Sequence, residues 1–317
     1  MAEIIDTLYV PRTPRLLPAG VRLSLRHGRY ALIEARPTVQ LVFLMRYLIG
    51  VAQSSAHHLL ASPLRLLAGA VAWWLAVVAA YLINGVMDVK EDRANGSVRP
   101  IARGDLPTRT AAFQTAGAAV GALALAACVP GLTVWVAAFL VLGWLYSAPP
   151  IAAKRWSTAC AVVVFGLGWT SFEGGAATAG GRLSPAGLAF AVVMSAWMAL
   201  VGSVVKDLSD VDGDATGGRC TVAVRHGAGL ARSLGAAGAL LVGAGAVLTS
   251  LARFPTLLPA TVCVAIGALC VVVQIVRTAR IEGGDKRTHR SAYRAFMRTQ
   301  YAANIALLCV MAWHGTA

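Results

Sequence analysis

Apolar stretches long enough to cross a lipid bilayer recur along the whole chain, at 38–57, 64–87, 110–129, 131–150, 158–179, 184–206, 229–251, 256–277 and 298–315. At ~1.5 Å of rise per residue, about 20 apolar residues in a helix cover the ~30 Å hydrocarbon layer. In lipid each backbone N–H and C=O must be paired within the segment, so runs of this kind are expected to be helices. The expected fold class is an all-α membrane protein of nine transmembrane helices. A basic leader, residues 1–37, precedes a membrane domain at 38–317. Composition agrees, since 57% hydrophobic residues, 13% charged residues and a mean hydropathy of +0.67 lie outside the range of soluble domains. Small residues inside the runs, as in Gly117-x-x-x-Gly121 and from Gly235 to Gly245, suit close helix packing in lipid.

The net charge of +14 raises nucleic acid as a partner, and the placement of that charge rejects it. Arg12, Arg15, Arg22, Arg26, Arg29 and Arg36 lie in the leader. The other basic clusters fall in alternate connections: Lys90 to Arg109, Lys154 with Arg155, Lys206 to Arg232, and Arg277 to Arg298. The intervening connections hold only Arg65, Arg182 and Arg253, and Arg46 lies inside the first run. By the positive-inside rule the N-terminus and the basic connections are cytoplasmic and the C-terminus is outside. The bilayer is the expected partner. The leader is Pro-punctuated and Arg-rich, unlike a cleavable signal, and reads either as a segment lying on anionic lipid or as an unstructured tail. The six cysteines and six histidines show no metal-ligand spacing.

Half of the fourteen acidic residues fall in two short windows, each at the cytoplasmic end of an apolar run. One reads Asn84-Gly-Val-Met-Asp88-Val-Lys-Glu91-Asp92, the other Lys206-Asp207-Leu-Ser-Asp210-Val-Asp212-Gly-Asp214. On a helix, Asn84, Asp88 and Asp92 form one stripe, as do Asp207, Asp210 and Asp214 if that helix continues. Glu91, beside Lys90, falls on a solvated face, and Asp212 is off the second stripe. Clustered carboxylates at a membrane mouth are costly unless cations neutralise them. Two facing clusters of hard oxygen donors suit Mg²⁺, which commonly shares its shell with phosphate. The plainer reading is two polar helix ends wetted by cytosol; their repetition on one side with helical spacing favours a site. A calcium loop starting at Asp210 fails, because Ala215 stands where Gly is needed and Thr221 where Glu is needed.

At these residues the chain resembles the UbiA superfamily of intramembrane prenyltransferases. Asn84, Asp88 and Asp92 match its N-x-x-x-D-x-x-x-D motif, and Asp210 with Asp214 match its D-x-x-x-D motif, Asp207 being the frequent additional acid. Arg99-Pro100-Ile101-Ala102-Arg103-Gly104, Tyr146-Ser147-Ala-Pro149-Pro150 with Lys154-Arg155, and Gly213-Asp214 through Arg219, Thr221 and Val222 are similar to the segments around those motifs. The likeness runs over about residues 36–315. The departure is Gly85, where many members carry Asp, so an accessory acid is missing while the core ligands remain.

The resemblance implies nine helices around a central cavity with both windows at its cytoplasmic rim. It implies Mg²⁺ held by Asn84, Asp88, Asp92, Asp207, Asp210 and Asp214 on a prenyl diphosphate donor, with Asp88, Asp92, Asp210 and Asp214 as the catalytic set. Arg99, Lys154, Arg155 and Lys206 are candidates to neutralise phosphate, against the alternative of topology-setting charges. Tyr146 and Ser147 are candidates to orient a substrate. Arg46 and Glu173 are ionisable residues within runs and hence functional candidates: Arg46 for an acidic group on the acceptor, Glu173 for the proton released. Snorkelling and an interfacial position are the alternatives. The implied reaction is prenyl transfer to a small aromatic or other electron-rich acceptor. A terpene cyclase on the same scaffold is the main alternative; intact Asp88 favours transfer. Phosphoribosyl transfer to a polyprenyl phosphate is a further option, and a transporter is disfavoured because the acids lie at helix ends rather than at the midplane.

Overall fold

The computed structural model describes residues 18–55, 62–209, 211–280, 288 and 290–315. Among these, every regular element is a helix, joined by two isolated β-bridges, Ser54–Leu183 and Trp156–Cys220. In chain order they are α1 (Ala19–Glu34), α2 (Pro37–Ala52), α3 (Pro63–Met87), α4 (Val89–Ala94), α5 (Pro100–Arg103), α6 (Thr108–Ala127) and α7 (Leu132–Ser147). There follow α8 (Ser157–Thr178), α9 (Pro185–Asp207), α10 (Val211–Thr216), α11 (Val222–Arg253), α12 (Leu258–Ala279) and α13 (Ser291–Gly315).

The starts of several long helices are written in the chain. Proline opens α2, α3 and α9, where its missing N–H costs nothing. Ser184 caps α9 by accepting from Gly187 N–H at 3.0 Å, and Ser62 and Thr221 cap α3 and α11 the same way. Among the described residues six helices are long and apolar enough to span: α3, α6, α8, α9, α11, and α12 with its lead-in from Pro255. Two of the expected runs yield shorter helices of 16 residues, α2 and α7. Helix α7 stops at Ser147, ahead of Pro149-Pro150, since a proline disfavours helical backbone before it. Helix α13 spans 25 residues but carries Arg294 and Arg298 in its first half.

Packing divides the bundle into two large cores that meet at α8 and a smaller third one under α1. Trp73, Phe43, Tyr47 and Phe139 centre the first, drawn from α2, α3 and α7, with α6 covering it. Trp197, Phe190, Phe296 and Phe172 centre the second, drawn from α8, α9 and α13, with α11 and α12 around it. Helices α2 and α8 cross with their backbones in contact. A Cβ on Gly175 would lie 2.7 Å from Val51 N, so only glycine permits the approach. Large apolar side chains such as Leu64, Phe113, Val134, Val162, Leu241 and Leu248 point outward, as lipid-facing helices require. The last turn of α1 packs through Ala31 and Ala35 against Val78 and Leu82 of α3 and Ile101 of α5.

Candidate active site

Both acidic windows are built the same way, by a long apolar helix that breaks at an acid and resumes as a six-residue helix. Asp88 ends α3 and starts α4; the hydrogen bond from Asp92 N–H to Asp88 O, 2.8 Å, carries the helical register across the break. The stripe Asn84–Asp88–Asp92 therefore survives, and Asn84 Nδ2 donates to Asp88 Oδ2 at 2.8 Å. In the second window α9 ends at Asp207 and α10 starts at Val211. The expected continuous helix is interrupted there, and Asp214 is brought in by α10 instead. Asp210 lies outside the described residues, as does the side chain of Asp212.

Cations hold these acids. Lys154, only 6% exposed, is ion-paired with Asp88, itself 8% exposed. Burial pushes the Lys154 amine below its ordinary value, and Asp88 pulls it back up. Arg99 binds Asp92 through Nη1 at 2.8 Å. Arg219 binds Asp214 at 3.1 Å and Glu91 at 2.7 Å, and so ties the second window to the first. Burial alone would lower Arg219, but Asp214 and Glu91 outweigh it and raise it. Glu91, expected on a solvated face, is thus half-buried at the junction, its carboxyl raised by burial against the opposing pull of Arg219. Asp207 is 8% exposed and makes no ion pair among the described residues.

The connection after α7 is fastened to the segment after the second window. Cys220 N–H donates to Arg155 O at 2.7 Å, and Val222 N–H donates to Ser157 Oγ at 2.9 Å. This fixes Lys154 over Asp88 while the Arg155 side chain is exposed. Lys206 donates to Tyr146 OH at 3.3 Å and stands over the same ring, and Ser147 is buried with its hydroxyl unpartnered. Lys154, Arg99, Lys206, Tyr146 and Ser147 therefore gather at the acid-bearing end of the bundle.

Two expected site residues stand elsewhere. Arg46 is fully buried on α2, donating to Met194 O at 3.0 Å and Gln300 Oε1 at 2.6 Å, and it contacts Met198 beside a π-helical turn at Trp197–Gly202. It does not snorkel; it fastens α2 to α9 and α13. Glu173 sits near the far end of α8 from Ser157 and lines a separate cavity of about 790 Å³ with Arg65, Trp135 and Arg182. Three residues with clear places in the constellation were not among the expected site residues: Arg219, Glu91 and Glu34. Glu34 is fully buried and ion-paired to Arg99 at 2.5 Å.

Among the described residues no three His, Cys, Asp or Glu side chains converge closely enough to hold an ion alone. The donors present, Asn84, Asp88, Asp92, Asp207 and Asp214, are all oxygen donors, and the nearby cations stand where phosphate charge would be met. That chemistry fits Mg²⁺ carried with a diphosphate.

Known proteins share both sequence and fold with this chain. A digeranylgeranylglyceryl phosphate synthase of Halobacterium salinarum is 34% identical over 175 residues, 55% of this chain and 61% of that protein. A probable homogentisate phytyltransferase 2, chloroplastic, of Oryza sativa subsp. japonica is 30% identical over 168 residues, 45% of this chain and 43% of that protein. The chain thus spans less than two thirds of the length of these curated relatives. A UbiA homolog from Archaeoglobus fulgidus, solved bound to GPP and Mg²⁺, superposes with a TM-score of 0.67 at 18% identity, covering 89% of this chain and 99% of that one. The profile of the UbiA prenyltransferase family matches residues 43–299, which take in both acidic windows and Lys154, and the chain belongs to that family.

Proposed function

We propose that this protein is a Mg²⁺-dependent intramembrane prenyltransferase that takes a prenyl diphosphate and passes the prenyl group to a small electron-rich acceptor. The observation that carries this is Arg219, which joins Glu91 of the first window to Asp214 of the second, so that two acid sets share one end of the bundle. The solved relative from Archaeoglobus holds GPP and Mg²⁺, and the oxygen donor set here is chemically suited to the same pair. Bound Mg²⁺ supplies Lewis acidity to the departing diphosphate.

The residues of the chain do the rest. Asn84, Asp88, Asp92, Asp207, Asp210 and Asp214 provide the oxygen ligands. Lys154, Arg99 and Arg219 exchange their carboxylate partners within the two windows for phosphate oxygens as the donor enters. As the allylic C–O bond breaks, its electron pair leaves with the diphosphate, and these cations stabilise that charge in a site shielded from water. The acceptor's electron pair forms the new bond to the prenyl carbon, and the acceptor then loses a proton. Tyr146 and Lys206 lie together beside the acids and orient the incoming groups. Nine helices cross the membrane in this reading, including the shorter α2 and α7, with residues 1–37 and the acidic windows on the cytoplasmic side. The prenyl chain lies in a cavity between the helices.

The acceptor of the first reading is aromatic, in line with the homogentisate phytyltransferase relative. The relative named for digeranylgeranylglyceryl phosphate favours a second reading, in which a glyceryl phosphate lipid is prenylated. Mass spectrometry of products separates them. Detergent-purified protein with Mg²⁺ and geranyl, farnesyl or geranylgeranyl diphosphate is incubated with phenolic acids, with a geranylgeranylglyceryl phosphate, or with neither. A prenylated acceptor absent from Asp88→Ala and Asp210→Ala supports transfer and identifies its class. A terpene made without any acceptor makes the protein a cyclase, and failure to consume any diphosphate overturns the proposed function.

A further inference from the structure

Gly85 follows the first ligand of the first window, and the space its side chain would take is already filled. A Cβ at 85 would collide with Glu34 Oε1 and lie 3.0 Å from Glu34 Cδ and 3.1 Å from Arg99 Nη2. Glu34 comes from the last turn of α1, more than fifty residues earlier in the chain. Its carboxylate is fully buried, accepts a hydrogen bond from Ile101 N–H at 3.1 Å and pairs with Arg99 Nη2 at 2.5 Å. The other terminal nitrogen of the same guanidinium, Nη1, holds Asp92 at 2.8 Å. Glu34, Arg99 and Asp92 thus form one relay, with Gly85 as the opening that admits it.

We infer that Glu34 is a positioning residue for the metal–diphosphate site: α1 delivers, from outside the two windows, a carboxylate that fills the space beside Gly85 and holds Arg99. This rests on the proposed function. The physical reason lies in charge. Arg99 opposite Asp92 alone would be a full positive charge beside an incoming Mg²⁺ and would compete for the same carboxylate. Shared with Glu34, the guanidinium is neutralised from behind and kept by one nitrogen, so Asp92 can turn to the metal while Arg99 stays aimed at phosphate. As an anchor for α1 a carboxylate is a poor choice, because burying it is expensive; an amide would accept from Ile101 N–H equally well. The charge has use only toward Arg99.

The test compares wild type, Glu34→Gln, and the transplant Glu34→Ala/Gly85→Asp, which moves the carboxylate to residue 85 and removes the group it would strike. Mn²⁺ binding is followed by electron paramagnetic resonance in the presence of geranyl S-thiolodiphosphate, beside thermal melting and Mg²⁺ titration of turnover. Loss of an outer-shell partner should weaken Mn²⁺ binding in Glu34→Gln about tenfold to a hundredfold, with turnover recovered at high Mg²⁺; the melting temperature falls because a buried pair is broken, while Arg99 still holds Asp92 and the protein stays folded. The transplant should regain most of the affinity. Unchanged Mn²⁺ binding in Glu34→Gln overturns the inference, as does a loss that follows a lowered melting temperature and is not regained by the transplant. A wild type that binds no Mn²⁺ with the thiolodiphosphate overturns the proposed function and this inference with it, whereas wild-type binding with an indifferent Glu34→Gln overturns the inference alone.

Discussion

The two acidic windows share one plan and differ in how their charge is met. Each ends a long helix, α3 or α9, and each continues into a six-residue helix bearing a second acid. In the first window every described acid has a cation: Asp88 has Lys154, Asp92 has Arg99, and Glu91 has Arg219. In the second window Asp214 shares Arg219 with Glu91, and Asp207 is buried without an ion pair among the described residues. Buried ion pairs offset the desolvation of their charges, whereas a lone buried acid does not. The first window is therefore a set of charges paired within the fold, with burial still outweighing the pairing at Lys154 and Glu91. In the proposed function, Asp207 of the second window is the acid left for a bound cation to meet.

The largest expected effect tests whether the two windows form one site. Asp88→Ala and Asp214→Ala should each lower turnover about a thousandfold, since each removes a group that stabilises the departing charge. If one variant keeps near-normal turnover, the windows are not partners and their likeness is only architectural.

Stability should then separate what activity unites. Asp88→Asn leaves Lys154 buried without its counter-charge and should cost ~3 kcal/mol, the usual effect of breaking a buried pair. Asp207→Asn removes a buried charge that makes no ion pair among the described residues, so unfolding should shift by no more than about 1 kcal/mol or move toward greater stability. Denaturant or thermal unfolding in detergent measures both. Equal losses would mean that Asp207 is neutralised after all, and the contrast between the windows would fail.

A smaller effect lies at the junction. Because burial outweighs Arg219 in raising Glu91 above its reference value of 4.5, the folded protein holds that proton more tightly than the unfolded chain does. Its contribution to stability is complete below pH 4.5 and is lost as pH rises through the raised value. Glu91→Gln should flatten the dependence of melting temperature on pH just above 4.5. A slope that persists in Glu91→Gln would assign the effect to another carboxyl.

Much of the scaffold was open to sequence reasoning because lipid imposes simple rules. Apolar runs became helices, and the i, i+4, i+8 spacing of Asn84, Asp88 and Asp92 survived a break at Asp88 through a single backbone hydrogen bond. Lys154, a candidate through the resemblance, is ion-paired with Asp88. Where helices ended was less legible: α2 stops at Ala52 before Gln53-Ser54-Ser55, and α7 stops at Ser147 before Pro149-Pro150, inside the apolar runs assigned to them. Arg219 was hidden among charges that set topology, since its role depends on α10 facing α4, which no local pattern encodes. Glu34 was hidden for the same reason, being far in sequence from Gly85 and Arg99. Arg46, read either as meeting an acidic acceptor group or as snorkelling, donates to the Met194 carbonyl beside a π-helical turn, an irregularity that periodicity does not register.

The central claim is that both windows grip one metal-bound diphosphate. It is met most directly by a structure of the protein with Mn²⁺ and geranyl S-thiolodiphosphate, with anomalous scattering used to place the metal. The account predicts manganese at the acids of both windows, one ion against Asp88 and Asp92 and one against Asp207 and Asp214, with the diphosphate between them and Lys154 turned toward it. Metal at one window only, or a diphosphate bound away from Asp88 and Asp214, would contradict it.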